Sequence, residues 1–325
     1  MRFLKIFATV ALIFTLIVCF AACDGNKQTD TQDVYYTVTF NTAGGTEISP
    51  VRVLAGSKIS EPVTPVREGY LFMGWLCGTS EWNFAQDTVN SDMTLVASWV
   101  NAKTQFDYEI RDGVAVILGY KGNESKVTLP RYIDGIEVRE IGERAFASLD
   151  GESITEIVVG DNITSVGASA FEGSSATVIK LEGKIEEIGE RAFFGCAKLY
   201  SITLDTDVPY AAFSGCTELK EVVFGEHVEM IGENAFEMCT SLQSIVVHSS
   251  LVEVQDSAFA ECDALSAIYY YGGESEWESV EIATGNGGND ALIEATLFIY
   301  SETEPAGAGL AEYWYIDGNG NKRVW

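Results

Sequence analysis

Seven cysteines and two histidines are the side chains here best suited to nucleophilic, redox or metal chemistry, and their spacing limits what they can do. Cys196, Cys216, Cys239 and Cys262 hold one place in four successive repeats, three residues before a leucine. Ligands that recur once per repeat form a line, not the tetrahedron of a zinc site. Neighbouring repeats would bring the thiols within disulfide reach, but inward-pointing side-by-side cysteines seldom reach the required dihedral. The plainest reading is a ladder of small buried thiols. Cys77 stands apart from them. His227 and His248 are too few for H-E-x-x-H or a multi-histidine centre, and repeat alignment puts one in a turn and the other at a strand end, both solvated. Close carboxylate pairs carry no information among 48 acidic residues. "DGNGN" at 317–321 starts like a calcium loop, but Lys322 replaces the glycine such a loop needs. No catalytic, cofactor-binding or metal-ligating set emerges, and the expected chemistry is recognition.

The scaffold that would present such a surface is acidic. The chain of 325 residues carries a formal charge of −28, which repels phosphate backbones and anionic lipid, and argues against a nucleic-acid partner. The same charge disfavours self-association, so a monomer is expected. At 47% hydrophobic and 11% aromatic the composition is that of a globular protein.

Residues 1–22 carry Arg2 and Lys5, then an uncharged apolar run, as an export signal does. The ending "FAAC" resembles a bacterial lipobox, with Phe20 where an aliphatic residue is usual; the resemblance implies cleavage before Cys23 and its lipidation. An ordinary cleaved signal and a retained helix are the alternatives, the apolar run being short for a span. Two or more acyl chains on Cys23 would make a lasting tether. Residues 23–34 are polar and aperiodic, and read as a flexible spacer.

Residues 35–100 alternate apolar and polar side chains in "YYTVTF", turn at "NTAGGT", and run on through "PVREGYLFMGW" and "TLVASW", a small strand-rich unit. Val38, Thr39, Phe40, Asn41, the Gly44-Gly45 pair, Pro62, Pro65, Gly69, Tyr70, Phe72, Gly74, Trp75, Trp82, Phe84, Leu95 and Trp99 resemble the internalin-type B repeat, also called the Listeria–Bacteroides repeat. The resemblance implies a β-grasp-like module of exported bacterial proteins, in which the aromatic residues form the core.

From 127 to 271 the chain repeats itself. Phe146, Phe171, Phe193, Phe213, Phe236 and Phe259 are spaced 25, 22, 20, 23 and 23 residues apart. A period of this length is a solenoid signature, because each coil buries its apolar side only against the next. The fullest copy reads I-G-x-x-A-F-x-x-C-x-x-L-x-x-I-x-L, and its end predicts a short strand, as in Leu199/Ile202/Leu204 and Leu265/Ile268/Tyr270. This line resembles the BspA-type leucine-rich repeat, which implies a gently curved solenoid with a parallel sheet on a bacterial surface. The coil ending at Phe213 is three residues short and has Asp205 where others have an apolar residue, so an irregularity is expected at 204–210. Residues 101–126 are expected to cap the first coil, and 272–325 to form a C-terminal cap and tail, with "YWYIDGNGNKRVW" as two strands around a Gly/Asn turn.

The fold class is therefore mainly β: a β-grasp-like module followed by a leucine-rich-repeat solenoid. The outward positions of its strands would be Val158, Lys180, Thr203, Val223, Val246 and Tyr269, with Tyr200 and Tyr271 nearby. Tyr200, Tyr269 and Tyr271 are the candidate contacts for a protein or glycan partner. The expected function is a lipid-anchored, non-catalytic cell-surface binding protein of adhesion type; a structural spacer of the envelope is the alternative.

Overall fold

The computed structural model describes residues 33–147, 154–285, 288–303 and 312–325. The expected signal peptide, Cys23 and nearly all of the spacer lie outside the described residues.

The first module is built on strand Tyr35–Asn41, whose Val38 and Phe40 point to the core while Thr37, Thr39 and Asn41 face water. It pairs antiparallel with Val51–Leu54 and parallel with Met93–Asn101, which in turn pairs antiparallel with Tyr70–Cys77; the short strand Ser80–Glu81 closes the far edge. A parallel central pair flanked by antiparallel strands is the β-grasp-like arrangement. Trp75 sits edge-on against Phe40 at 5.1 Å and Phe72 at 5.4 Å, so the aromatic residues are core. Two glycines are required by geometry. Gly74 has φ +127 at a register shift, and a Cβ on Gly45 would lie 2.6 Å from the Trp99 ring.

Strand Met93–Asn101 runs into the single turn Ala102–Gln105 and then the hairpin Phe106–Arg111/Val114–Tyr120. This hairpin starts one wall of the solenoid. Strand Val114–Tyr120 pairs parallel with Ile136–Ile141, followed by Ser165–Val166 and Glu187–Ile188. The opposite, broader wall holds the predicted strands: Lys126–Thr128, Glu156–Val159 and Val178–Leu181, then Ser201–Leu204, Glu221–Phe224, Ser244–Val247 and Ala267–Tyr270. The first three form one parallel sheet and the last four belong to a second, with no strand pairing between Val178–Leu181 and Ser201–Leu204 among the described residues; in the second, Ser201, Glu221, Ser244 and Ala267 share one register row. Residues 272–303 add to both walls, Glu281–Ile282 pairing with Glu253–Val254 and Thr296–Tyr300 with Ala267–Tyr270.

Between the walls run columns of buried side chains. The six phenylalanines are stacked nearly parallel, with centroids 5.4, 5.1, 4.7, 5.2 and 5.3 Å apart, and each is at most 1% exposed. Tyr120 from the entry hairpin continues the column at 6.4 Å from Phe146. Backbone bonds tie the coils together at the same place: the N–H of Phe146, Phe171, Phe193, Phe213 and Phe236 donates to the alanine carbonyl of the next coil at 2.7–2.8 Å. The column ends on a side chain instead. Fully buried Asn289 accepts from Phe259 N at 3.0 Å through Oδ1, and its Nδ2 donates to the carbonyls of Gln255 and Ala283 at 2.9 and 2.8 Å. Two residues before each phenylalanine the backbone turns left-handed, at Arg144, Ser169, Arg191, Ala211, Asn234 and Ser257, with φ of 50–58. None is glycine, so the sequence pattern does not mark the position.

The shortened coil behaves as expected. Val208 makes a single bridge to Ile231, and the narrower wall is interrupted there. Asp207 Oδ1 takes the two amides that a ladder carbonyl would otherwise accept, Glu229 N at 2.8 Å and Met230 N at 2.9 Å. Elsewhere that role is played by backbone, as in Val252 and Glu253 donating to Glu229 O.

Candidate docking face

The chemistry-bearing residues divide between the core and the broad sheet's outer face. Cys196, Cys216, Cys239 and Cys262 are free and fully buried. Each thiol donates to a phenylalanine carbonyl one coil back, at 3.0–3.3 Å: Phe171, Phe193, Phe213 and Phe236 in turn. Burial pushes the thiols of Cys216 and Cys262 well up, which leaves them protonated and poor nucleophiles. Cys77 is exposed. Among the described residues no group of three or more His, Cys, Asp or Glu converges on a common point. Asp317 is spent inside the terminal hairpin, where it accepts from Asn321 N and Asn319 N at 2.9 Å and from Arg323 Nε at 3.0 Å; these bonds hold its carboxyl down to about 2.

The outer face comes from period-two alternation along each strand. Ile202, Leu204, Val222, Ile245 and Ile268 go inward, and Thr203, Val223, Val246 and Tyr269 share one register row on the other side, where Val246, like the expected outward residue Val158, is nevertheless buried. The outer face changes character along the solenoid. At its N-terminal end, on the separate three-stranded sheet, Glu156 accepts from Lys180 at 2.6 Å and pairs with Lys126 at 3.4 Å. Its middle is small and β-branched. At its C-terminal end Tyr269 stacks on Phe298 at 5.1 Å, and Tyr271 lies against His248 at 4.4 Å and Tyr300 at 4.8 Å. His248 is thus half-buried against an aromatic ring instead of solvated, because Tyr271, just past the strand and bonded through its N–H to Val247 O at 2.9 Å, sets its ring beside it. His227 is exposed in its turn, with Nδ1 2.8 Å from Asp205 Oδ2.

The structure brings Tyr269 and Tyr271 together and leaves Tyr200 apart. Tyr200 stands just before Ser201–Leu204, three strands from Ala267–Tyr270; it is 53% exposed, with Lys220 Nζ 4.9 Å over its ring. Tyr269 and Tyr271 are only partly exposed because the terminal hairpin lies on them. Its first strand, Glu312–Ile316, pairs parallel with Thr296–Tyr300, and its second, Lys322–Val324, returns antiparallel. The fully buried Trp314 ring lies edge-on to Tyr269, Tyr271 and Tyr300 at 5.3, 4.8 and 5.2 Å, and its Nε1 donates to Tyr270 O at 3.3 Å. Lys322 Nζ lies 4.5 Å over Tyr269 and donates to Glu221 Oε1 at 2.7 Å, two strands further in. Burial pushes the phenols of Tyr269 and Tyr271 up. The hairpin itself is readable in the sequence, but Trp314 and Lys322 as parts of this face are not.

Comparison with known proteins agrees with the two-part architecture. Residues 139–266 match the BspA type leucine rich repeat region in six copies, and residues 36–98 match the Listeria-Bacteroides repeat domain. A Gly-rich protein of Evansella cellulosilytica, named as a membrane protein, is 48% identical over 67 residues, which is 20% of this chain and 8% of that protein. A second protein of the same organism, also named as a membrane protein, is 40% identical over 81 residues, 24% of this chain and 12% of its own. The chain thus spans only a small part of the length of the curated relatives it matches. Among solved structures, the T. pallidum leucine rich repeat protein aligns at 26% identity and TM-score 0.47 over 51% of this chain and 83% of its own. A leucine rich cell surface protein of Faecalibacterium prausnitzii aligns at 22% identity and TM-score 0.43, over 68% and 59%.

Proposed function

From a chain that joins a Listeria–Bacteroides repeat to BspA-type leucine-rich repeats, we propose a non-catalytic binding protein held at the bacterial surface, whose broad sheet offers its outer face to a protein or glycan. The observation that carries this reading is the presence of tyrosine rings at two places on that face, Tyr200 at one and Tyr269 and Tyr271 at the other, on a parallel sheet. Aromatic rings on a rigid support give contact area at little entropic cost, and suit both partner classes. The lipobox-like "FAAC" and the naming of two relatives as membrane proteins support a membrane-anchored location, with Cys23 as the lipid site. The partner-binding unit is a monomer, in keeping with its charge.

The test is an array of matrix proteins and of bacterial and host glycans, probed with the chain lacking residues 1–23. Binding that is lost when Tyr200, Tyr269 and Tyr271 are all replaced by Ser supports the reading. Binding that survives the triple replacement removes these residues from it. Palmitate incorporation that disappears in Cys23→Ala tests the anchor.

A further inference from the structure

The tyrosine face is already occupied, by the chain's own C-terminal hairpin, and the way it is occupied is informative. Sheet pairing alone would leave Trp314 at the solenoid's end, beside Tyr300, its register partner. Instead the indole lies across the last two strands and reaches the Tyr270 carbonyl. Lys322 reaches further, over Tyr269 to Glu221, a residue 101 positions earlier in the chain. An aromatic ring set among three tyrosines, with a cation on a carboxylate beside it, is how a peptide ligand is held. A cap that only sealed the core's open end would act through the inward side of the hairpin, where Tyr313 packs on the core. Trp314 and Lys322 project from the other side and are not needed for that.

We propose that residues 312–325 are an internal ligand of the tyrosine face. In the isolated chain they hold Tyr269 and Tyr271 closed, and a partner that uses those rings must displace the hairpin. The inference rests on the reading of this face as the partner surface and adds its regulation. It also states the chemistry of a competing partner: a strand or hairpin that offers one aromatic ring and one cation in the places of Trp314 and Lys322.

The probe is a fluorescein-labelled cyclic peptide copying residues 312–325, closed so that the hairpin is preorganised. In the full chain with Trp314→Ser and Lys322→Ser, the face is vacated and the peptide should bind. In the unaltered chain the tethered copy competes at an effective concentration on the order of millimolar, so binding should be weaker by about tenfold or more. Adding Tyr269→Ser and Tyr271→Ser to the vacated chain should abolish binding. Equal binding to the unaltered and vacated chains overturns the proposal, and so does no binding to a vacated chain whose circular dichroism and melting show a folded solenoid. Either failure leaves the array result standing, so the two readings are judged separately. Should the vacated chain not fold, Lys322→Gln decides. It removes one ion pair and one cation–π contact and keeps every ring, so amide exchange at 312–316 should speed up about three- to fivefold while 244–247 is unchanged. Unchanged exchange at 312–316 would show that Lys322 does not hold the hairpin down and would overturn the proposal.

Discussion

Phe193→Ala removes a ring from the middle of the aromatic column, and its effect follows from the surroundings. Phe193 is fully buried, with Phe171 at 5.1 Å on one side and Phe213 at 4.7 Å on the other, tilted by 10° and 5°. Truncating a buried phenylalanine costs about 3–5 kcal/mol, transfer and cavity together. Two ring partners place this site at the upper end, about 4–5 kcal/mol, since stacked pairs add about 0.5–1.5 kcal/mol each beyond area. The cavity has little freedom to collapse, because Phe193 N is bonded to Ala212 O at 2.8 Å and Cys216 Sγ to Phe193 O at 3.3 Å. Phe146→Ala should lose less, about 3 kcal/mol, because one of its neighbours is Tyr120 at 6.4 Å. The assay is urea unfolding followed by circular dichroism on the chain lacking residues 1–23. With m near 3 kcal/mol per molar, the Phe193→Ala midpoint should fall by about 1.5 M. A loss below about 1 kcal/mol, or an equal loss at both sites, would show that ring burial and stacking do not set the stability of each coil.

Three other outcomes follow from the same interior. Asn289→Leu removes a buried amide that satisfies three backbone groups and should cost about 2–5 kcal/mol, with faster exchange at the Phe259 amide; exchange unchanged there would show that Asn289 is not the cap. Gly189→Ala would set a Cβ against the backbone of Ala168 in the preceding coil, so it should cost about 1–3 kcal/mol, whereas Gly78→Ala meets no such neighbour and pays only for its φ of +66. The thiol ladder gives a pH dependence. Burial raises the folded-state values of Cys216 and Cys262, so their contribution is fully present below the unfolded thiol value of about 8.5 and is lost as pH rises toward the folded values. The urea midpoint should therefore drop between about pH 8 and 10, less steeply in Cys216→Ala; a flat profile would contradict thiol burial.

The sequence carries the solenoid in its local pattern. The Phe columns, the Leu-x-x-Ile-x-Leu strands and the four inward cysteines are repeated features, and each copy reinforces the same period. The break at 204–210 is legible too, because three missing residues and a polar Asp205 leave the narrower wall too short to pair. What escapes is whatever one copy decides alone or at long range. The left-handed residues carry ordinary side chains such as Arg144 and Arg191, held by ladder bonds on either side. Asn289 ends the column from a stretch without the repeat line. The docking of the tail turns on Lys322 meeting Glu221, a contact set by the number of coils between them and by no motif. Tyr269 is therefore found as an outward residue from strand alternation, with Tyr271 placed nearby, but their cover is not.

Equivalent positions in this solenoid advance by one strand spacing per coil. Nitroxide labels on the exposed outward residues Lys126, Val178 and Ser201, each paired with a label at Thr296, measure this by pulsed dipolar spectroscopy. At about 4.8 Å per strand the backbone separations should be roughly 34, 24 and 19 Å, shrinking stepwise as coils are skipped. Three similar distances, or a Lys126 pair no longer than the Ser201 pair, would contradict a stacked solenoid.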